Sequence, residues 1–292
     1  MIKRRGVRKS MEVNPTGELV PVASQPSILG SPLRCLNDIV SHRFLVFALV
    51  QRTLRSRYRL AGLGYLWLVL EPLLLAATYW FLFVMLAGNP DEMYPVWVLV
   101  GVIVWSTFGK SLSGAVSSLT SNTQMIHMAY FPRSIFPVSI TTGNIITSLV
   151  SSLVLVPIVF VFDTPVTVHL LWIPVGIVLA GVMGGLFGMI FAPLNCGQRD
   201  VEHLFRFIVR AGFFFSPVMW TAEMALQRGT WGEYALLNPI VMPITMVRHA
   251  IAGESVDLPL LSITSSLLFL SLCALLGSIV FMKSEREAVK FL

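Results

Sequence analysis

Long apolar runs separated by short polar segments dominate the chain from residue 63 to residue 282. Each run approximates the ~20 residues that a helix needs to cross a bilayer, and none shows the alternation of a membrane β-barrel. The pattern therefore predicts an all-α membrane protein with six transmembrane helices. In chain order, the six runs occupy residues 63–86, 95–116, 135–162, 170–194, 207 onward and 259–282. The fifth run, from residue 207, is incomplete.

The run that starts near residue 207 is unusual because a serine–proline pair at 216–217 interrupts it early. The segment that follows, residues 221–258, is too apolar for a solvated loop, yet Pro239 and Pro243 break its backbone. Broken helices at membrane depth are tolerated only where they line a cavity walled by protein. We therefore expect short re-entrant helices on the outer side, between the fifth and sixth spans.

Two segments precede the first span. Residues 1–32 are polar, basic and proline-containing, without the apolar region of a signal peptide, and they indicate a disordered cytoplasmic tail. Residues 33–54 predict an amphipathic helix that lies either in the membrane interface or against a partner subunit. Residues 55–292 form the predicted six-span domain. The apolar face of the amphipathic helix consists of Leu36, Ile39, Val40, Phe44 and Phe47.

Composition supports membrane insertion, because only 12% of the residues are charged, against about 25% in soluble domains. The net charge of +6 favours contact with anionic lipid over nucleic acid, since arginines cluster beside apolar runs. With the N-terminus inside, all but four of the 21 lysines and arginines lie in cytoplasmic segments. Of those four, Arg228 and Arg248 lie outside, and Lys110 and Arg210 lie within spans. This bias predicts that both termini are cytoplasmic.

The sequence contains no residue set that would make the chain an enzyme. No G-x-x-x-x-G-K-[ST] loop is present, because Val104 stands where the tripeptide at 109–111 would need a glycine. The three cysteines and five histidines show no metal-binding spacing, and no catalytic triad can be nominated. We therefore expect a transport subunit with no metal and no cofactor of its own.

Three ionisable residues, Glu71, Lys110 and Arg210, lie within predicted spans and are candidates for function. A single intramembrane acid is too few for a typical proton relay, so the chain shows no energy source of its own. We expect Glu71 to pair with a nearby arginine or to face a polar cavity. Lys110 is expected to extend toward the membrane interface.

Glycines and aromatic residues mark two further features. Overlapping G-x-x-x-G pairs in the fourth span favour close helix packing, within or between protomers, over a flexible hinge. They involve Gly181, Gly184, Gly185 and Gly188. Aromatic side chains that face a pore can stack on sugar rings through their flat apolar faces. The candidates for such a channel lining are Tyr79, Phe83, Phe214 and Trp220.

Three stretches resemble the permease subunits of type-2 ABC exporters, in particular the branch that exports lipid-linked polysaccharides such as O-antigen, teichoic acid, capsule and galactan. They read RTLRSRYRLAGLGYLWLVLEP at residues 52–72, MIHMAYFPRSIFP at 125–137 and QRDVEHLFRFIVRAGFFFSPVMW at 198–220. The resemblance extends from about residue 33 to the C-terminus, so the tail lies outside it.

The resemblance implies a half-transporter in a bacterial inner membrane. Two copies of the chain would form the pathway as a homodimer, and two copies of a separate ATPase, which binds ATP and Mg²⁺, would drive it. Residues 33–54 would lie along the cytoplasmic face, and residues 117–133 would form the loop that sits on the ATPase. The residues implied for ATPase coupling are Gln124, His127, Tyr130, Arg133, Arg199 and Asp200.

The same resemblance implies a lipid-linked polysaccharide as substrate and a gate at residues 236–252. The gate residues are Asn238, Pro239 and Pro243. Three arginines would lie at headgroup depth, where guanidinium groups pair well with the diphosphate of a polyprenyl carrier. These are Arg55, Arg57 and Arg59. Their alternative role is simply to anchor the membrane topology.

Two other functions are left open by the sequence. A drug or small-lipid exporter of the same superfamily would often carry a large outer domain between its first two spans, whereas about seven residues connect them here. A proton-coupled flippase or other secondary transporter would work without an ATPase. A membrane-embedded glycosyltransferase is disfavoured, because no aspartate-rich or histidine-containing catalytic loop occurs in the sequence.

Overall fold

The computed structural model describes residues 11–13, 19–21, 31–58, 62–87, 93–128, 132–162, 164–256 and 258–291. From residue 31 onward these ranges are helical apart from turns and connecting segments, which confirms the predicted all-α class for the body of the protein. A short antiparallel pair, β1 (Met11–Val13) with β2 (Leu19–Pro21), lies in the segment predicted to be a disordered tail. The rest of residues 1–30 lies outside the described ranges.

Thirteen α-helices follow β2 in the described ranges. Most of the breaks between them coincide with polar, proline or glycine positions, where helix formation is disfavoured. In chain order the helices are α1 (Ser31–Ser41), α2 (Arg43–Tyr58), α3 (Trp67–Ala87), α4 (Tyr94–Val116), α5 (Thr123–Met128), α6 (Ile135–Ser152), α7 (Leu155–Val161), α8 (Trp172–Gly197), α9 (Asp200–Phe215), α10 (Ala222–Leu226), α11 (Thr230–Leu236), α12 (Val241–Ala252) and α13 (Leu260–Ala288).

Five helical stretches of the described chain are long and apolar enough to cross a membrane. They match five of the six predicted spans and comprise α3, α4, α6 with the start of α7, α8 and α13. The predicted fifth span is α9, which has only 16 residues because the backbone becomes extended at Ser216, before Pro217. The five stretches are Gly64–Leu82, Tyr94–Val116, Ile135–Pro157, Val168–Gly197 and Leu260–Ser284.

The helices α11 and α12 form a sharply bent pair, with 91° between them across residues 237–240. Asn238 fixes this break, because its side-chain amide donates to Ser216 Oγ at 3.0 Å and its Oδ1 accepts from Ile240 N at 3.1 Å. Pro243 lies in the first turn of α12, where a missing N–H costs no intrahelical hydrogen bond. The broken backbone predicted for this segment is therefore present.

The core of the bundle lies between α4 and α8, and α4 is buried along most of its length. Two glycines of α8 make this approach possible. A Cβ atom at Gly184 would collide with the carbonyl oxygen of Phe108, and one at Gly188 would collide with that of Leu112. Backbones this close leave no room for a side chain. The close-packing interpretation of the G-x-x-x-G pairs is confirmed, and this packing occurs within one chain.

The N-terminal helices α1 and α2 are separated at His42, and α2 packs on α6. Val46 and Val50 are buried there, in a cluster that includes Phe136. Residues 33–54 are therefore helical, but as parts of two helices and not as the single predicted helix. Most of the predicted apolar face, however, is not the face that packs, because α2 carries a second apolar stripe that covers α6. The side chains that point away are 59% to 77% exposed: Leu36, Val40, Phe44 and Phe47.

Candidate functional site

A groove of about 710 Å³, here called the lateral groove, runs between α3, α4 and α9. Its lining follows helical spacing, since Glu71, Leu75 and Tyr79 lie four residues apart on one face of α3. Basic and aromatic side chains dominate the remainder. The residues contributed by α4 and α9 are Trp105, Ser106, Gly109, Lys110, Ser113, Arg206, Val209, Arg210, Phe213 and Phe214.

One ion pair joins two walls of the lateral groove. Lys110 Nζ donates to Glu71 Oε1 at 3.0 Å, and the two side chains remain 43% and 49% exposed. Water screens such a pair, so it contributes only about 0–1 kcal/mol to stability. The sequence predicts that Glu71 pairs with an arginine or faces a polar cavity. Glu71 does line a cavity, and its ion-pair partner is a lysine. Lys110 binds across the groove instead of extending toward the interface.

Two arginines of α9, Arg206 and Arg210, lie one turn apart and both line the lateral groove. Arg206 forms an ion pair with Glu202, one turn earlier on the same helix. No ion pair is found for Arg210 within the part of the chain that the structure describes. The groove lining thus carries three basic side chains against one acidic side chain, Glu71. Such a groove attracts anions.

Aromatic rings lie beyond these charges. The helices α3 and α9 run away from the end of the bundle that carries α5, whereas α4 runs toward that end. On α4 and α9, the aromatic residues of the lining therefore lie farther from that end than the basic residues do. Tyr79 lies against Phe213 with ring centroids 4.5 Å apart, and Phe213 meets Phe214 edge-on at 5.4 Å. Trp105 completes the aromatic part of the lining. These faces can stack on apolar faces of sugar rings.

The predicted channel aromatics fall into three groups. Tyr79 and Phe214 line the lateral groove. Trp220 packs with buried residues of α10, α11 and α12, away from the groove, and the side chain of Phe83 lies outside the described residues. Phe213 is not among the predicted candidates. The signal that points to it is its position seven residues after Arg206, two turns along the same helix face.

The helix α5 projects at one end of the bundle, here called the α5 end. Its predicted coupling residues Gln124 and His127 are exposed. Arg52 of α2 contacts the α5 segment, with its Nη1 2.7 Å from Met125 Sδ. The α5 end therefore presents a short exposed helix held from one side by a basic helix.

The start of α9 lies at the same end. Asn195 connects it to the α5 segment, because its side-chain amide donates to Thr120 Oγ1 at 3.3 Å and its Oδ1 accepts from Glu202 N at 3.1 Å. The predicted coupling residues Arg199 and Asp200 are exposed beside this junction. Asp200 occupies the first turn of α9, where a negative charge is favourable.

The remaining predicted cytoplasmic residues are described only in part. Arg55 is exposed near the end of α2, and Arg133 is half-buried before α6. Arg59, Tyr130 and the side chain of Arg57 lie outside the described residues. The gate residues Asn238 and Pro239 lie in the break between α11 and α12.

A second cavity, here called the distal pocket, lies opposite the α5 end and measures about 330 Å³. The start of α4 and the helices α10 and α12 form its walls. Its lining mixes aromatic rings with carboxylates, a histidine and an arginine. The lining residues are Tyr94, Trp97, Thr221, Ala222, Glu223, Met224, Thr245, Arg248, His249, Ala252 and Glu254.

Arg248 forms the floor of the distal pocket. Its guanidinium donates to the carbonyl oxygens of Trp97, Val218 and Trp220 at 2.8 to 3.3 Å. Only 5% of Arg248 is exposed. The sequence places Arg248 on the outer side of the membrane, and the structure adds that this arginine is buried within α12. It is a structural residue, because burial of a guanidinium is tolerated only when its donors are satisfied.

Glu223 and His249 face each other at the rim of the distal pocket, with Glu223 Oε1 3.9 Å from His249 Nε2. Glu223 lies on α10, whose first turn is capped by Thr221 Oγ1, which accepts from Met224 N at 3.3 Å. The neighbouring His249 side chain lowers the pKa of Glu223 to about 2. The carboxylate is therefore ionised across the physiological pH range.

Comparison with known proteins assigns residues 45–252, more than half of the chain, to a family described as ABC-2 type transporter. The chain belongs to this family. The resemblance seen in the sequence is thus confirmed. An ABC-2 type chain with five stretches that can cross a membrane is a multi-pass membrane protein. Its family membership is consistent with the expected role as a transport subunit.

By name, several relatives of this ABC-2 type chain are O-antigen export permeases or polysialic acid transport proteins. The O-antigen export system permease protein RfbA of Klebsiella pneumoniae is 28% identical over 224 residues, 75% of this chain and 84% of that protein. RfbA of Myxococcus xanthus is 26% identical over 213 residues, 73% and 82% of the two chains. The polysialic acid transport protein KpsM of Escherichia coli is 25% identical over 218 residues, 70% and 80% of the two chains.

Proposed function

We propose that this chain is the transmembrane half of an ATP-driven exporter of a lipid-linked polysaccharide of the O-antigen, teichoic acid or galactan type. It would act in the bacterial inner membrane. Family membership and the names of the relatives support the class of transporter. The observation that carries the substrate class is the lateral groove, which joins basic groups to aromatic rings along one path.

The lateral groove would be one half of the pathway, completed by a second copy of the chain. The exposure of α3 supports this arrangement, since Leu74, Trp80 and Phe81 are 41% to 60% exposed on a helix that also walls the groove. Two such helices facing each other would close a channel lined from both sides. Each protomer would contribute the same charges and rings, as an isologous dimer requires.

The order of groups in the groove matches the order of groups in the substrate. Guanidinium and ammonium groups bind phosphate oxygens strongly, so Lys110, Arg206 and Arg210 would hold the diphosphate. The rings of Tyr79 and Phe214, farther from the α5 end, would stack on sugar residues. Arg55, Arg57 and Arg59 would meet the diphosphate first at headgroup depth, unless they only anchor the topology.

The α5 end would be the cytoplasmic, ATPase-facing side. Support comes from the exposed side chains of α5 and from Arg199 and Asp200, which lie exposed near the Asn195 link to the α5 segment. Gln124, His127, Tyr130 and Arg133 would contact the ATPase, which binds ATP and Mg²⁺. This chain would need no cofactor itself. ATP binding would press the two α5 segments and open the paired grooves.

The membrane topology proposed here has six spans with both termini cytoplasmic. The helix α9, extended by the turn at 216–220, would serve as the fifth span, and α10 to α12 would re-enter from the outer side as the gate. The helices α1 and α2 would lie in the inner interface. Support comes from their exposed apolar side chains, which lipid can cover, and from the basic residues beside them. Residues 1–32 would remain a cytoplasmic tail.

Transport in proteoliposomes that contain the purified chain, with and without its ATPase, tests this proposal. We expect lipid-linked glycan to cross only when the ATPase and hydrolysable ATP are both present, because the chain has no motor of its own. A matched ATPase with its catalytic glutamate changed to glutamine should give no transport. Undiminished transport by the chain alone would favour an ATPase-independent flippase. Transport of a drug or a simple lipid, but not of the glycan, would favour the other exporter class.

A further inference from the structure

We propose that the distal pocket is a binding site for one or two sugar residues of the emerging glycan. The identity of the glycan rests on the proposed function, whereas the pocket itself is a feature of the fold. At about 330 Å³ the cavity falls within the ~300–1,000 Å³ typical of small-molecule sites.

The floor of the distal pocket is rigid. Arg248 ties the C-terminal half of α12 to the start of α4 and to the turn after α9, since Trp97 O, Val218 O and Trp220 O all accept from its guanidinium. Tyr94 adds a hydrogen bond from its hydroxyl to Met219 O at 2.8 Å. A site fixed by its own hydrogen bonds loses little conformational entropy when a ligand binds.

The walls provide the two kinds of contact that a sugar ring needs. The half-buried Trp97 contributes aromatic surface, which can pack on the apolar face of a ring. The carboxylates of Glu223 and Glu254 accept hydrogen bonds from hydroxyl groups. A metal ion fits less well, because no group of three or more His, Cys, Asp or Glu side chains in the described ranges is arranged to hold one.

Thr245 is an independent sign that a polar ligand belongs here. It lines the distal pocket, it is 3% exposed, and its hydroxyl has no hydrogen-bond partner in the described structure. Buried hydroxyl groups normally find a partner within the protein. A sugar hydroxyl can both donate to and accept from Thr245 Oγ1, so a bound sugar would supply the missing partner.

The location of the pocket fits a glycan that has passed the lateral groove. Val218, whose carbonyl helps to hold the floor of the pocket, lies three residues after the end of α9, and α9 forms one wall of the groove. Gly101 of α4 packs directly against the Val218 backbone. The turn after α9 thus connects the groove wall to the pocket floor, and a glycan that passed outward along this turn would meet the distal pocket.

Binding of free glycan to the purified full chain tests the proposal. The probe is the repeat-unit oligosaccharide released by mild acid from the cell's own polysaccharide, so that it carries neither lipid nor diphosphate. Saturation-transfer NMR gives the Kd. We expect the Kd to rise about tenfold in Glu223→Gln, as for loss of a hydrogen bond to a charged group, and several-fold in Thr245→Val. The matched exposed variants Glu233→Gln and Thr264→Val should bind like the parent chain.

Thr245→Val also separates binding from folding. Because the hydroxyl has no partner in the unbound chain, its replacement by a methyl group should leave the thermal midpoint unchanged or raise it. Parent-like affinity in Glu223→Gln and Thr245→Val would overturn the proposal, and so would failure of the parent chain to bind the oligosaccharide. A site that responds to Mg²⁺ alone would instead be a cation site.

The failure of this inference can be told apart from failure of the proposed function. If deletion of the chain leaves glycan export intact, the proposed function is wrong, and the pocket has no glycan to hold. If deletion blocks export while both pocket variants bind oligosaccharide with unchanged affinity, the function stands and the pocket assignment alone is overturned.

Discussion

Arg248 stabilises the end of the bundle opposite α5, because its guanidinium donates to three backbone carbonyls from two segments, the start of α4 and the turn after α9. We predict that Arg248→Met lowers the free energy of unfolding by about 3 kcal/mol or more, since three buried carbonyls lose their partner. Exposed Arg228 offers the matched control, and Arg228→Met should change stability by less than about 0.5 kcal/mol. Thermal unfolding in detergent measures both. Equal midpoints for the two variants would contradict the structural role of Arg248.

Glu223 gives a prediction for pH. The His249 side chain lowers the pKa of Glu223 to about 2, below the ordinary value of about 4.3. A lowered pKa in the folded state stabilises the protein fully above about pH 4.3, and this contribution is lost as the pH falls toward 2. The difference in thermal midpoint between the parent chain and Glu223→Gln should therefore shrink over that window. A difference that stays constant down to pH 2 would contradict the assignment.

At the scale of elements, α8 owes its contact with α4 to small residues. Gly184→Ala would push a methyl group into the Phe108 carbonyl, so we predict a loss of about 1–3 kcal/mol in stability. Gly197→Ala, at the end of the same helix with open space around it, should be neutral or stabilising. Unfolding of the two variants side by side measures the effect. If Gly184→Ala is as stable as Gly197→Ala, the helices are not packed as closely as described.

The apolar runs predicted most of the membrane-spanning helices, because about 20 consecutive residues are enough to identify a span. Contacts between distant residues cannot be identified in this way. Glu71 and Lys110 are 39 positions apart, so no spacing rule links them. The sequence places Arg248 on the outer side, and only its contacts with distant carbonyl groups identify it as buried. The stripe Leu36 to Phe47 predicts an amphipathic helix, but two apolar faces exist and the sequence does not say which one packs.

For the lateral groove, too, the sequence predicts local features but not the contacts between distant residues. Its helix faces follow from steps of four and seven residues that start at Glu71 and Arg206. Which three helices meet depends on tertiary packing, which periodicity does not encode. Tyr79 and Phe214 could therefore be nominated from the sequence as aromatic residues, whereas their shared cavity with Lys110 and Arg210 could not.

At the scale of the whole molecule, the proposed function gives the two ends of the bundle different roles. The α5 end would meet the ATPase and the diphosphate, and the opposite end, with its bent helix pair and distal pocket, would release the glycan. Between them, the lateral grooves of two protomers would carry the substrate. In the proposed mechanism the permease would move glycan as the distance between its two copies changes, so the groove would be its central element.

Photo-crosslinking at Phe214 tests that claim most directly. Phe214 is 63% exposed and lines the groove, so p-benzoylphenylalanine in its place conserves an aromatic ring there. Leu268 on α13, 60% exposed and outside the groove, is the control position. In cells that make the glycan, we predict a glycan-bearing adduct at position 214 that depends on an active ATPase, and none at position 268. Equal labelling at both positions, or none at 214 while export continues, would contradict the account.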